Sequence, residues 1–355
     1  MKTKRLLALL VFMVLLIQPI AIFSFETDQY NLPPVPLGDI GDEVTDYSEQ
    51  ALVKAVDKIN EKIAHLEACL VKDSKESGCD STKETKKDLT YYRSEDAVAK
   101  EVFKKLGDGI IPFTKAGSWL ESHEFKVQPA RYKTGFSESI HFTAPMNYLT
   151  ISPTINMYGA EFGTDKIAHL FQQGYDYYSR YRRYLKKGAS DEKAVRKAIK
   201  WGQKTERTYY GTLVSAVYSN ADLAANYAGL KFYQGLTHDV KIGENVRPAV
   251  LKFENGKWEM NHKAEISENL LKPFISIHFN EAYNPSKIFN IADFRTRVRH
   301  VVRDRSCKQW FERYPGLSKE KLESTTKSLE LWYGEDYGFS YSRNFVTIAN
   351  TCFEK

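Results

Sequence analysis

The stretch Gln50–Leu70, QALVKAVDKINEKIAHLEACL, decides the fold class. Leu52, Val56, Ile59, Ile63, Leu66 and Leu70 recur at alternating steps of four and three, which lays one apolar seam along a helix that packs lengthwise on another. Downstream, Lys72–Asp88 is almost entirely Lys, Asp, Glu, Ser and Thr and reads as a solvated loop. A second helix is expected from Ser94, with Ala97, Val98, Val102, Phe103 and Leu106 on its apolar side. Together these form an N-terminal helical hairpin whose plain role is support. Phe113–Tyr158, mixed in Gly, Pro, Ser and aromatics, predicts short strands and irregular connections. Three helices are then expected: from Thr164 to about Leu185, from Ser190 to about Tyr218, and from Ser219 to about Leu236. Asn255-Gly256, between Leu251-Lys252-Phe253 and Trp258-Glu259-Met260, is a strong hairpin signal. The last third returns to helix, interrupted at Pro285 and Pro315. The fold class is mainly α: a helical domain, residues 113–355, with an N-terminal arm and helical hairpin, residues 25–112, and a small β-hairpin near 250–266.

Working outward to the start, Lys2, Lys4 and Arg5 precede an unbroken apolar run from Leu6 to Ile17, followed by Pro19, Ala21 and Ser24. That is the pattern of a removable secretory signal, residues 1–24, which leaves an N-terminus near Phe25. The run is shorter than the roughly 20 residues a spanning helix needs, and nothing later is apolar for long enough, so the mature chain is expected to be soluble and exported. Pro33, Pro34 and Pro36 read as an extended arm. Cys69, Cys79, Cys307 and Cys352 in an exported chain imply two disulfides, with Cys69–Cys79 and Cys307–Cys352 favoured among three pairings. No Cys-x-x-Cys or Cys-x-x-His spacing supports a cysteine zinc site.

The net charge of +6 includes three signal-peptide cations and no signal-peptide acid, which leaves +3 on the mature chain. With charges of both signs interspersed, nucleic acid is not an expected partner. The basic groups Arg180, Arg182, Arg183, Lys186, Lys187 and Arg295, Arg297, Arg299, Arg303, Arg305 read as solvated helix faces.

The central helices carry the one constellation that points to chemistry. In Thr164-Asp165-Lys166-Ile167-Ala168-His169, Asp165 and His169 share a helix face, so the carboxylate is expected to accept the ring N–H and orient the imidazole as a general base. The plain alternative makes Thr164 an N-cap and Asp165 a first-turn acid. Glu206 lies in a semi-apolar helix, with Gly211 nearby to permit a close approach. Asp222 and Asn226 stand one turn apart in Ser219-Asn220-Ala221-Asp222-Leu223-Ala224-Ala225-Asn226. Ser219 and Asp222 also fit a helix cap, whereas Asn226, mid-helix among alanines, has no local reason to be there. His141 and His278, in apolar settings, read as core histidines, although Glu281 with Asn284 adds candidate site groups. Asp165, His169, Glu206, Asp222 and Asn226 are expected to converge, because buried polar groups cost several kcal/mol each unless they satisfy one another.

Taken in order, Asp-Lys-x-x-His, a glutamate on the next helix, and Ser-x-x-Asp-x-x-x-Asn-x-x-Gly resemble the pattern of the VanZ-like family of bacterial envelope proteins. Asp165, Lys166 and His169 match the first motif, Glu206 the second, and Asp222, Asn226 and Gly229 the third. The resemblance covers Thr164–Leu236 and implies a shared polar site; the charged helices here depart from that family's membrane-embedded ones. Three readings follow. One is an envelope hydrolase or transferase acting on a lipid-linked or cell-wall substrate, with Asp165, Lys166, His169, Glu206, Asp222 and Asn226 as its catalytic set. The second is a non-catalytic structural or binding protein in which the same residues form a hydrogen-bonded network. The third is a divalent-cation site of Asp165, His169, Glu206 and Asp222, whose mixed N and O ligands suit zinc, manganese or iron.

Overall fold

In the computed structural model, which describes residues 26–71, 79, 81–111, 113–143, 151–212, 215–261, 270–288, 292–342 and 344–353, the apolar seam lies in helix α1, Gly41–Val71. Leu52, Val56, Ile59 and Ile63 are buried, and Leu66 and Leu70 pack at the edge of the same core. The expected secretory signal, residues 1–24, lies outside the described residues.

Helix α2, Thr82–Tyr92, corrects the reading of Lys72–Asp88 as loop throughout. Its sequence is polar on nearly every side, so periodicity does not reveal it. What holds it is local and tertiary: Ser81 caps it by accepting from the Glu84 N–H, and Thr85 and Leu89, one turn apart, bury their side chains. The Cys69–Cys79 disulfide closes the connection from α1. Helix α3, Glu95–Leu106, starts after Ser94 as expected, and Ala97, Val98, Val102 and Leu106 face the core.

The following region also departs from expectation. Strands β1, Gly109–Ile110, and β2, Phe113–Thr114, form a small hairpin, but helix α4, Lys115–Ser122, intervenes, capped by Thr114 accepting from the Gly117 N–H. Its apolar positions, Ala116, Trp119 and Leu120, are too few to stand out among glycine and serine. Strands β3, Thr154–Met157, and β4, Ala160–Gly163, then pair antiparallel around Tyr158-Gly159, both at positive φ. This hairpin feeds directly into helix α5, Thr164–Ala168, which continues as a π-helical turn, His169–Gln173, and then as α6, Gly174–Lys186.

Helix α7, Asp191–Glu206, ends twelve residues short of the expected Tyr218. The chain turns there and forms β5, Val217–Ser219, before α8, Asn220–Gly235. Tyr218 is aromatic and Val217 β-branched, so the segment favours a strand once a partner is available. Strands β6, Val240–Ile242, and β7, Asn245–Arg247, make a ribbon, and β8, Leu251–Glu254, and β9, Lys257–Met260, flank Asn255-Gly256 as predicted. The second ribbon docks on α1 through Asn60, which accepts from the Trp258 N–H at 2.9 Å and donates to its carbonyl at 2.8 Å. Strand β10, Ser286–Ile288, pairs with β5, and helices α9, Ala292–Val301, α10, Cys307–Arg313, α11, Lys319–Ser328, and α12, Ile348–Cys352, complete the chain. The mainly α class with a small β-hairpin is therefore the fold of this chain.

One core joins α1, α3, α5–α8 and the β8–β9 ribbon, so the N-terminal hairpin shares its apolar face with the central helices. A second core gathers Tyr30, Leu32, Val217, Val302, Trp310 and Ile348 around the C-terminal helices. Residues 26–32 are mostly buried, so the segment leading into the prolines threads the structure rather than lying loose upon it. Among the described residues no helix is long and apolar enough to cross a membrane.

Both favoured disulfides are formed, Cys69–Cys79 across ten positions and Cys307–Cys352 across 45. Because loop-closure entropy rises with the logarithm of loop length, removing the longer bridge is expected to cost about 1 kcal/mol more than removing the shorter. Urea unfolding of the two paired Cys→Ala variants measures that difference.

Candidate functional site

Lys166 is the centre of the site. It is fully buried, and its ammonium lies 2.6 Å from Asp165 Oδ2, 2.5 Å from Asp222 Oδ1 and 2.7 Å from Glu281 Oε1. A lysine with no water around it keeps its charge only where carboxylates replace that water. Burial works against the charged form here, but Asp165, Asp222 and Glu281 outweigh it and hold the Lys166 pKa well above the usual lysine range.

Asp222 forms the other half. Its Oδ2 lies 3.3 Å from His169 Nε2, and His169 Nδ1 lies 3.0 Å from Asn226 Oδ1. Burial pushes the Asp222 carboxyl up, yet the nearby His169 and Lys166 bring it below the ordinary aspartate value. The expected pairing of Asp165 with His169 is thus corrected. Asp165 instead accepts from Thr27 Oγ1 at 2.7 Å and pairs with Lys166, while Asp222 and Asn226, one turn apart on α8, grip the imidazole. Both ring nitrogens are therefore engaged inside the cluster, Nε2 by the Asp222 carboxylate and Nδ1 by the Asn226 side-chain amide.

Glu206, the last residue of α7, accepts the Ser219 N–H at 3.0 Å. Gly211 permits this local fold, because a Cβ there would stand 2.4 Å from Glu206 Oε1; the close neighbour is the glutamate itself. Ser219 caps α8 by accepting from the Asp222 N–H at 3.0 Å and also donates to Glu281 Oε1 at 2.6 Å. The capping reading of Ser219 and the cluster reading of Asp222 therefore both hold. Thr164, offered as an N-cap, is instead the first helical residue, with Gly163 before it.

Two carboxyls join the set from outside the motif region. Glu281 also accepts from Ser286 Oγ, and its N–H donates to Gln29. Glu26, two positions after the expected cleavage zone, is buried among the same charges. Burial, reinforced by Asp222 and Glu281, pushes the Glu26 carboxyl well above the usual range. Burial followed by Asp222 does the same to Glu206, and burial raises Glu281 against the opposing pull of Lys166. No sequence signal marks Glu26, whereas Glu281 carried a weak one in its nearness to Asn284. Asn284 itself stays outside the cluster, donating to the His278 carbonyl and to Tyr337. His278 is a satisfied core histidine, held by Ser276 and by the Leu331 carbonyl.

Glycines bring the helices together. Gly174 and Gly229 meet where α6 crosses α8, and a Cβ on Gly229 would lie 2.1 Å from the Leu170 carbonyl oxygen and 2.7 Å from Gly174 Cα. Gly229→Ala is expected to cost roughly 1–3 kcal/mol, because the helices carrying His169 and Asn226 must move apart. A thermal melt checks this, and an unchanged midpoint would contradict it.

Asp165, His169 and Asp222 also offer ligand atoms within 4.8 Å of one another, a spacing compatible with a cation. Glu206 does not belong to that trio, and the ammonium of Lys166 already pairs with both aspartates. Arg182 and Lys186, from the first basic group, pair with Glu95 and Asp96 at the start of α3 rather than standing free. Comparison with protein-family models, curated proteins and solved structures finds no match.

Proposed function

We propose that this chain is an exported envelope protein of non-catalytic, structural or binding type, in which the Lys166 cluster is a hydrogen-bonded network that locks the central helices to the N-terminal segment. The observation that carries this reading is closure. Asp165, Lys166, His169, Glu206, Asp222 and Asn226 are each at most 4% exposed; five of them contact one another in a chain from Asp165 through Lys166, Asp222 and His169 to Asn226, and Glu206 joins through the Ser219 N–H. A site that turns over a substrate has to meet it, whereas a network gains from exclusion of water. The cationic leader with its apolar run and the two disulfides support export, and the ordered motifs that resemble the VanZ-like family support an envelope setting.

A hydrolase or transferase is the second reading, favoured by one observation: Glu206 is pushed up and Asp222 down within a single cluster, the kind of split that separates a general acid from a base. The experiment is a hydrolase-substrate screen with elemental analysis on the exported protein. The network reading expects no turnover that depends on His169 and no stoichiometric zinc, manganese or iron. Turnover abolished by His169→Gln would establish the enzyme instead, and an ion released by Asp222→Asn would establish the cation site.

A further inference from the structure

The β5–β10 ribbon has two faces with different chemistry. Alternation along a strand sends successive side chains to opposite sides. Ser219 and Ser286, directly paired, turn to the buried cluster and bind Glu281. Tyr218 and Lys287, the next pair, turn the other way and line a cavity of about 450 Å³. The volume falls within the range of small-molecule sites.

The cavity is built for a multiply charged anion. Arg207 and Lys287 supply two cations, and no carboxylate lines it among the described residues. Neither cation has a carboxylate partner within ion-pair distance among the described residues. Thr212, Ser340 and Ser342 add hydroxyls. Tyr218 is only 3% exposed, and its hydroxyl is buried without a hydrogen bond of normal geometry, although the Arg207 and Ser340 side chains stand beside it. Phe345 packs edge-on against the Tyr218 ring at 6.1 Å, and the Arg207 guanidinium lies 5.6 Å from that ring's centre, so one wall is aromatic. The Ser340 backbone is fixed by Asn220, which accepts from its N–H at 3.0 Å and donates to its carbonyl at 2.8 Å. Thr212 Oγ1 already donates to the Glu206 carbonyl at 3.3 Å, but two cations with the hydroxyls of Tyr218, Ser340 and Ser342 still exceed what the two oxygens of a carboxylate satisfy, and they match the oxygens of a phosphate.

We propose that this cavity binds a phosphate-bearing ligand, with Arg207 and Lys287 holding the phosphate, the Tyr218 hydroxyl donating to it, and the Tyr218–Phe345 wall receiving an apolar or aromatic portion. The assignment stands apart from the network reading, since the ribbon separates the cavity from the cluster and the test reads binding alone.

The test is calorimetric titration of the full exported chain with inorganic phosphate, with phenyl phosphate and with acetate, beside sedimentation with phosphatidylglycerol vesicles. Phenyl phosphate is expected to bind with a dissociation constant of about 1 mM or tighter, more tightly than phosphate and far more tightly than acetate, and to weaken as salt rises. Arg207→Gln and Lys287→Met are each expected to weaken it at least about tenfold, the loss of one charge-assisted contact, with unfolding unchanged because Arg207 is exposed and Lys287 only half-buried. Tyr218→Phe keeps the wall and removes one donor, so a smaller loss is expected. Binding to vesicles that both charge variants abolish would name a lipid headgroup as the source of the phosphate; binding to phenyl phosphate alone would name a free phosphorylated molecule. Absence of binding to all probes, acetate binding as tightly as phosphate, or binding indifferent to both charge variants would overturn the assignment.

Discussion

Lys166→Met is expected to lower the unfolding free energy by roughly 3–5 kcal/mol, the usual cost of removing one partner of a buried ion pair. Methionine fills similar space, so the loss is electrostatic rather than a cavity. Asp165, Asp222 and Glu281 would remain, carried by a helix start, a second helix and a loop, with no ammonium among them. None of the three carboxylates can escape to water, because each is at most 3% exposed. The midpoint of thermal unfolding should fall by about 6 °C or more, and the variant should recover part of the loss in acid, where protonation removes the repulsion. A variant as stable as the native chain would show that the ammonium is not what tolerates these acids together.

The second large effect is on pH dependence. Glu26, Glu206 and Glu281 all have raised values in the fold, with burial the first cause in each. For a raised group, stability is complete below the ordinary carboxylate range and is lost as pH climbs through the folded value. Asp222 is lowered, so its contribution is present above that range and is lost as pH falls through its depressed value. The cluster's contribution is therefore greatest near the ordinary carboxylate range, about pH 4, and declines toward neutrality, by about 1.4 kcal/mol for each unit of upward shift. Glu206→Gln imitates the protonated acid and retains an oxygen for the Ser219 N–H. Urea unfolding across pH should show the variant equal to the native chain near pH 4 and at least as stable at neutral pH, with a flatter decline. Parallel curves for the two proteins would mean that the fold does not raise the Glu206 carboxyl and would contradict this account.

Much of the site was legible because charged and amide side chains interrupt apolar helices at one-turn spacing, and such groups have to find one another. Asn226 is the clearest instance: nothing local explains it, and the structure places it on His169 Nδ1. Which carboxylate meets the imidazole was not legible, since Asp165 and Asp222 both stand at plausible spacings and only the α6–α8 crossing decides between them. That crossing depends on Gly174 and Gly229 touching and follows a π-helical turn that begins at His169, neither of which periodicity discloses. Glu26 lies 180 positions from Glu206, in a segment whose burial comes entirely from tertiary threading. The early end of α7 had a related cause: residues that read as helix were drawn into β5 by pairing with β10.

If these residues form one closed network, His169 and Asp222 are energetically coupled, and a double-mutant cycle on the pair measures that coupling. His169→Gln and Asp222→Asn are each expected to cost roughly 1–3 kcal/mol as buried partners go unsatisfied. Because the two side chains touch at 3.3 Å, the double variant should lose less than the two losses added together, with a coupling energy of about 1 kcal/mol or more. Strictly additive losses, or a His169→Gln variant as stable as the native chain, would contradict the network and return the cluster to chemistry.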